Sequence, residues 1–104
     1  MQTGGQIIKT KRETLGLLLR QVAAHVDIDQ AILSKIERGE RKPSKDNIIK
    51  LAEILSLDEQ ELMIQFISDK IAYEISDEDF ASQALKVAEK KVKYLKSTRN
   101  GKVW

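Results

Sequence analysis

The chain has 104 residues, 41% hydrophobic and 33% charged, with no cysteine and a single histidine, His25. This suits one soluble, helix-rich domain with a modest core and excludes a disulfide framework and thiolate metal or redox chemistry. The net charge of +2 is uneven: ten Lys/Arg face six Asp/Glu in residues 1–50, one faces six in 51–76, and seven face four in 77–104. A basic head and a basic end admit a phosphate-facing surface, although ordinary solvated faces would account for the charge equally well.

Met1 to Gly5 is expected to be loose, because Gly4-Gly5 offers no packing side chain. Gln6–Thr14 reads as a short first helix, within which Arg12 stands out as a cation able to face inward. Leu15-Gly16-Leu17 interrupts it, Gly16 being suited to a left-handed stop. The second helix, from Leu18 or Leu19 to Val26, places Leu18, Val22, Ala23 and Val26 on one face, with Arg20, Gln21 and His25 outside. His25 has no second His, Cys or clustered carboxylate beside it in sequence and is expected at the surface.

Asp27-Ile28-Asp29 forms a turn, with Ile28 plugging the space between two helices and Asp29 capping the next. The third helix runs from Gln30 to about Arg38 on the apolar anchors Ile32, Leu33 and Ile36. Its other side carries Gln30, Ala31, Ser34 and Lys35. An amide, a hydroxyl and an ammonium can address base edges, and alanine allows close approach; from spacing alone, a solvated helix face is the simpler reading. Gly39 ends the helix. After the loop Glu40–Ser44, a fourth helix, Lys45–Leu55, presents Ile48, Ile49, Leu51, Ala52 and Leu55.

Asp58-Glu59-Gln60-Glu61 resembles a capping box, with carboxylates where the helix dipole favours them. Leu62, Met63, Ile64, Phe66, Ile67 and Ile71 then cover more than the about 100° of apolar arc that a surface helix needs. Burial on two sides is expected, the second side covered by the C-terminal helix or by a partner chain. Ser76-Asp77-Glu78-Asp79 reads as another helix start, the acidic cluster serving as a cap rather than a metal site. From Phe80 to Lys96, the residues Phe80, Ala81, Ala84, Leu85, Ala88, Val92 and Leu95 form one stripe, with Lys86, Lys90, Lys93 and Lys96 elsewhere: an amphipathic packing helix. A flexible polar tail is expected from about residue 97 to Trp104. Helices joined by short loops describe an all-α bundle.

Taken together, Val22-Ala23, Ile28, Ser34-Lys35-Ile36-Glu37-Arg38-Gly39, Pro43 and Leu51-Ala52-Glu53-Ile54-Leu55 resemble the lambda-repressor-like (XRE-type) helix-turn-helix family, ungapped from about Gln6 to Leu62. The resemblance implies a compact five-helix DNA-binding fold, its domain taken here as residues 1–71; the region after Leu62 falls outside the resemblance, and the residues themselves suggest an additional C-terminal amphipathic helix in a 72–104 extension for packing or dimerisation. The resemblance further implies that helix 30–38 enters the major groove, with Gln30, Ala31, Ser34 and Lys35 at base edges and Arg38, Gly39, Arg41 and Lys42 at phosphates. Arg12 aligns with a first-helix arginine that pairs, in relatives, with the glutamate matching Glu37; the pair is assigned a structural role. Two positions depart from the pattern. Leu18-Leu19 stands where a polar phosphate-holding residue is usual, and Asp27 replaces the turn glycine, aspartate being one of the residues that tolerate the left-handed region.

The function expected is sequence-specific double-stranded DNA binding by a small regulator, a homodimer on a two-fold operator, of the repressor or restriction–modification controller type. Ile64, Phe66, Ile67, Ile71, Leu85 and Val92 are the candidate dimer or partner surface. The alternative is an antitoxin-like or adaptor module whose C-terminal helices bind another protein. No apolar run approaches the roughly 20 residues of a membrane span, and the opening MQTGGQIIKTKRE lacks the apolar core of a signal peptide, so a cytoplasmic location without a membrane partner is expected. The residues offer no catalytic constellation, phosphate-cradling glycine loop or spaced metal ligands, and neither cofactor nor metal is expected.

Overall fold

The computed structural model describes residues 2–100, with backbone alone for 99 and 100. Among the described residues six helices follow one another: α1 (Gly4–Thr14), α2 (Leu19–Val26), α3 (Gln30–Glu37), α4 (Lys45–Leu55), α5 (Glu59–Ile75) and α6 (Ala81–Asn100). The chain divides into two compact units, residues 1–72 and 73–104. The first holds α1 to α4 and most of α5; the second holds the end of α5 and α6.

In the first unit α2 packs on α3 and α4, and α1 packs on the same two helices. Each helix contributes a stripe at helical spacing: Ile8 from α1, Val22, Ala23 and Val26 from α2, Leu33 and Ile36 from α3, and Ile48, Leu51, Ala52 and Leu55 from α4. Leu62 of α5 completes the core. Helices of eight residues are too short to persist alone in water, so α2 and α3 depend on this shared burial.

α1 starts earlier than expected. Thr3 Oγ1 accepts from Gln6 N at 3.2 Å while Gln6 Oε1 accepts from Thr3 N at 3.0 Å, a reciprocal capping box that draws Gly4-Gly5 into the first turn. Both glycines are buried, contrary to the loose segment expected, because the missing side chain is what brings the helix close to its neighbours. A Cβ on Gly5 would stand 2.5 Å from Ile36 O and 2.6 Å from Glu37 O. One on Gly4 would meet the Phe66 ring at 2.8 Å. The Gly4 N–H donates to Asp69 Oδ2 of α5 at 2.7 Å, placing a carboxylate at the positive end of the helix.

Four helices end in the same way. Gly16, Asp27, Gly39 and Ser56 adopt positive φ (71°, 63°, 77° and 54°), and the following residues donate back to Arg12 O, Ala23 O, Lys35 O and Ala52 O, the Schellman pattern. Asp27 thus takes the left-handed conformation expected for the turn. Asp29 occupies the N-cap of α3, but its side chain accepts no cap hydrogen bond, a correction to its expected role; Leu33 N bonds to its backbone carbonyl instead. Leu18 is the N-cap of α2 rather than part of its inner face and is 48% exposed. An isobutyl side chain cannot cap, so Gln21 Oε1 accepts from Leu18 N at 2.8 Å. Ile49 likewise lies outside the α4 stripe, exposed. His25 sits on the surface, its Nε2 2.8 Å from Glu53 Oε1.

α5 departs furthest from expectation. Asp58 Oδ1 accepts from Glu61 N at 2.9 Å, as a cap should, yet Leu62 is its only buried side chain. Met63 and Phe66 pack partly on the core, whereas Ile64, Ile67 and Ile71 are exposed; the core of the first unit covers one side of the helix. The acidic turn Asp77–Asp79 precedes α6: Ala84 N bonds to Phe80 O, so the helix opens at Ala81, and Phe80, 72% exposed, lies ahead of it rather than on its stripe. Leu85, Val92 and Leu95 of the expected packing stripe are also exposed. α6 continues to Asn100, through residues 97–100 where a flexible tail was expected; 101–104, with Trp104, lie outside the described residues. No described helix is long and apolar enough to cross a membrane.

α3 is tied to α1 by a buried ion pair. Arg12 Nε donates to Glu37 Oε2 at 2.7 Å and Nη2 to Glu37 Oε1 at 3.1 Å, a two-pronged contact, while Nη1 donates to Leu17 O at 3.0 Å. Hydrogen bonding to the carboxylate raises the Arg12 pKa still further above its ordinary value, against the opposing effect of burial. Arg12→Ala should cost about 3–5 kcal/mol, because it strands a buried carboxylate, whereas the double change Arg12→Met/Glu37→Leu should recover most of that loss; thermal melts of the three proteins test the difference. Gly5→Ala should lower the melting temperature, through about 1–3 kcal/mol of overpacking, although at an open helical site the same change would gain about 1 kcal/mol. A melting temperature that rises would refute the close approach.

Candidate nucleic-acid interface

With Leu33, Ile36 and Glu37 buried, the orientation of α3 about its axis is fixed. At about 100° per residue, Gln30, Ala31, Ser34 and Lys35 share the outward arc. Gln30, Ala31 and Lys35 are exposed and Ser34 is half-buried. A short polar face with an alanine between an amide and an ammonium lets a helix approach a surface closely, since no bulky side chain holds the backbone away.

The Schellman turn at Gly39 stops α3 and leads into the segment 40–44, which Ser44 closes by capping α4: Ser44 Oγ accepts from Asn47 N at 3.1 Å. Arg41 and Lys42 are exposed, and among the described residues their side chains have neither hydrogen-bond nor ion-pair partners. They are free cations beside the outward arc. The Gly39 N–H, in contrast, is turned back to Ile36 O at 3.1 Å, so the structure commits that amide to ending the helix.

Arg38 and Ser34 are likewise engaged. Arg38 Nη1 donates to Ser34 Oγ at 2.5 Å, and Nε and Nη2 donate to the Glu40 carboxylate at 2.9 and 3.2 Å. Hydrogen bonding to Glu40, then its charge, raises the Arg38 pKa; the converse bond, then the charge of Arg38, holds the Glu40 carboxyl below its ordinary value, with a smaller contribution from Lys35. Sequence reasoning named Ser34 and Arg38 but missed Glu40. The four-residue spacing of Ser34 and Arg38 puts those two one turn apart on one face, but gives no signal for Glu40, which lies beyond the helix end.

Of the remaining candidates, Arg12 and Glu37 meet, as described above, behind the interface. Ile64, Ile67 and Ile71 are exposed on the first unit and Leu85 and Val92 on the second. Phe66 differs: it is only partly accessible and packs on the core beside Gly4.

Comparison with known proteins agrees with this geometry. Two uncharacterized HTH-type transcriptional regulators, from two strains of Mycobacterium tuberculosis, are each 34% identical over 61 residues, covering 59% of this chain and 44% of their own length. The chain therefore spans under half the length of these curated relatives. A chain of the solved SinR protein/SinI protein complex is 22% identical with a TM-score of 0.53, over 89% of this chain and 97% of that one, and shares the fold. The family model described as Helix-turn-helix matches residues 8–62, the span from the buried Ile8 to the buried Leu62, and on that match the chain belongs to the XRE-type helix-turn-helix family.

Proposed function

We propose that this chain is a DNA-binding transcription regulator that lays α3 in the major groove of double-stranded DNA. The observation that carries the reading is the outward arc of α3, held in one orientation from behind and flanked by the free cations of Arg41 and Lys42. Gln30 offers the paired donor and acceptor that match adenine, Lys35 offers donors to guanine, and Ala31 can contact a thymine methyl. Arg41 and Lys42 address phosphates, which set affinity and register rather than sequence choice. The similarity to the HTH-type transcriptional regulators of Mycobacterium tuberculosis supports the same assignment.

The finer reading is a homodimer on a two-fold operator, of the repressor or restriction–modification controller type, with half-sites about 34 Å apart. The exposed apolar residues Ile64, Ile67 and Ile71 support a self-association surface. Leu85 and Val92 support a second reading in which the C-terminal helix binds another protein, as an adaptor or antitoxin-like module does. Sedimentation of the purified chain separates the two: a stable dimer supports the first, a monomer the second.

Selection of duplexes from a random pool tests the DNA reading directly. Gln30→Ala and Lys35→Ala should each lose about 1–3 kcal/mol of discrimination at one base position while retaining general attraction to DNA. Arg41→Ala should weaken every sequence alike and flatten the salt dependence by about one in the log–log slope. Variants at Gln30 and Lys35 that select the wild-type sequence with undiminished preference would sink the groove assignment.

A further inference from the structure

We propose that Glu40 holds down sequence-independent DNA binding by occupying the Arg38 guanidinium, and so raises the ratio of specific to non-specific affinity. The proposal rests on the reading that the surface around α3 faces DNA. Non-specific binding comes from cations that neutralise phosphates and release counterions, at about 0.9 of a counterion per contact. Arg41 and Lys42 enter that process free. Arg38 does not: its Nε and Nη2 edge is already on the Glu40 carboxylate at 2.9 and 3.2 Å.

The pair is solvent-exposed on both sides, 52% for Arg38 and 55% for Glu40, so it is exchangeable rather than permanent. A phosphate that takes Arg38 must displace Glu40, and the carboxylate freed two residues away then stands near the same phosphate as a like charge. Arg38 with Glu40 therefore contributes almost no net charge to the attraction for any duplex. The third contact assigns the remaining capacity. Arg38 Nη1 lies on Ser34 Oγ at 2.5 Å, so the Ser34 oxygen accepts from the protein and its O–H is left to donate outward. Ser34 can then donate to the acceptors on guanine, adenine N7 or thymine O4, and one of its two lone pairs is already taken by Arg38. Glu40 is a positioning residue in this arrangement: it fixes Arg38, and Arg38 fixes the direction in which Ser34 donates.

The test measures wild type, Glu40→Gln, Ser34→Ala and Arg41→Ala on random-sequence duplex and on the duplex selected by wild type, across a salt series. Glu40→Gln frees a cation, so its salt slope on random duplex should steepen by about one, and its affinity should fall about threefold more than wild type between about 50 and 200 mM salt. At low salt it should bind random duplex several-fold more tightly, with a smaller preference for the selected sequence. Ser34→Ala should lose preference at one base position without changing the slope. If Arg41→Ala flattens the slope while Glu40→Gln leaves slope and preference unchanged, Glu40 has no such role although the surface does face DNA. If neither substitution alters the slope, the DNA-facing reading fails, and this proposal with it. Circular dichroism of Glu40→Gln should match wild type, because the residue lies exposed outside any helix.

Discussion

The buried Arg12–Glu37 pair is the constraint on which the rest depends. Glu37 is the last residue of α3, where the helix dipole disfavours a negative charge, and it is 94% inaccessible by the complement of its 6% exposure. A carboxylate there requires a cation, and α1 supplies one. Arg12 uses one guanidinium edge for Glu37 and its remaining arm for Leu17 O, so a single side chain joins α1, the α1–α2 connection and α3. An apolar pair of similar volume would come close to it in stability, but it would not add a directional contact to the constraint that the buried Leu33 and Ile36 already place on the rotation of α3. Only one rotation returns Glu37 to Arg12, and that rotation sends Gln30, Ala31 and Lys35 outward.

The same junction explains Gly5, whereas Gly4 makes room for the Phe66 ring of α5. α1 can bring Arg12 to Glu37 only if its first turn lies against the end of α3, where a Cβ on Gly5 would overlap the carbonyls of Ile36 and Glu37. Those carbonyls belong to the last turn of α3. The glycine thus lets α1 reach the region that its arginine must neutralise. Close backbone approach and the buried ion pair form one device, with Ile8 packed between them on the same α1 stripe.

Much of this was legible in the sequence because it is written in side chains. Val22-Ala23-Val26 and Leu51-Ala52-Leu55 announce their faces by spacing, and Gly16 and Gly39 mark helix stops by their freedom to take positive φ. The left-handed Ser56 was not signalled, because serine carries no comparable preference and the burial of Leu55 and Leu62 on either side imposes the turn. The burial of Gly4-Gly5 is silent in the sequence for a related reason: absent side chains produce no periodicity, and only the surrounding structure reveals what their absence permits. In α5 the apolar positions span a wide arc, but width does not say which part the chain itself buries. Spacing also could not distinguish an arginine facing outward freely from one held by a serine one turn back and a glutamate two residues ahead.

α3 therefore carries the same chemistry at its end twice, with opposite consequences. Arg12–Glu37 and Arg38–Glu40 are both two-pronged guanidinium–carboxylate contacts of similar length. The first is sealed, so breaking it leaves a charge without water and costs several kcal/mol, on the order of 3–5; it behaves as part of the framework. The second is open to solvent, where such pairs contribute little net stability and can exchange partners at small cost. Burial, rather than residue identity, decides which pair holds the helix still and which remains available to respond to an approaching charge. The helix needs both properties, because a face can discriminate among targets only when its orientation is fixed and its electrostatic attraction is not so strong that every target is held alike.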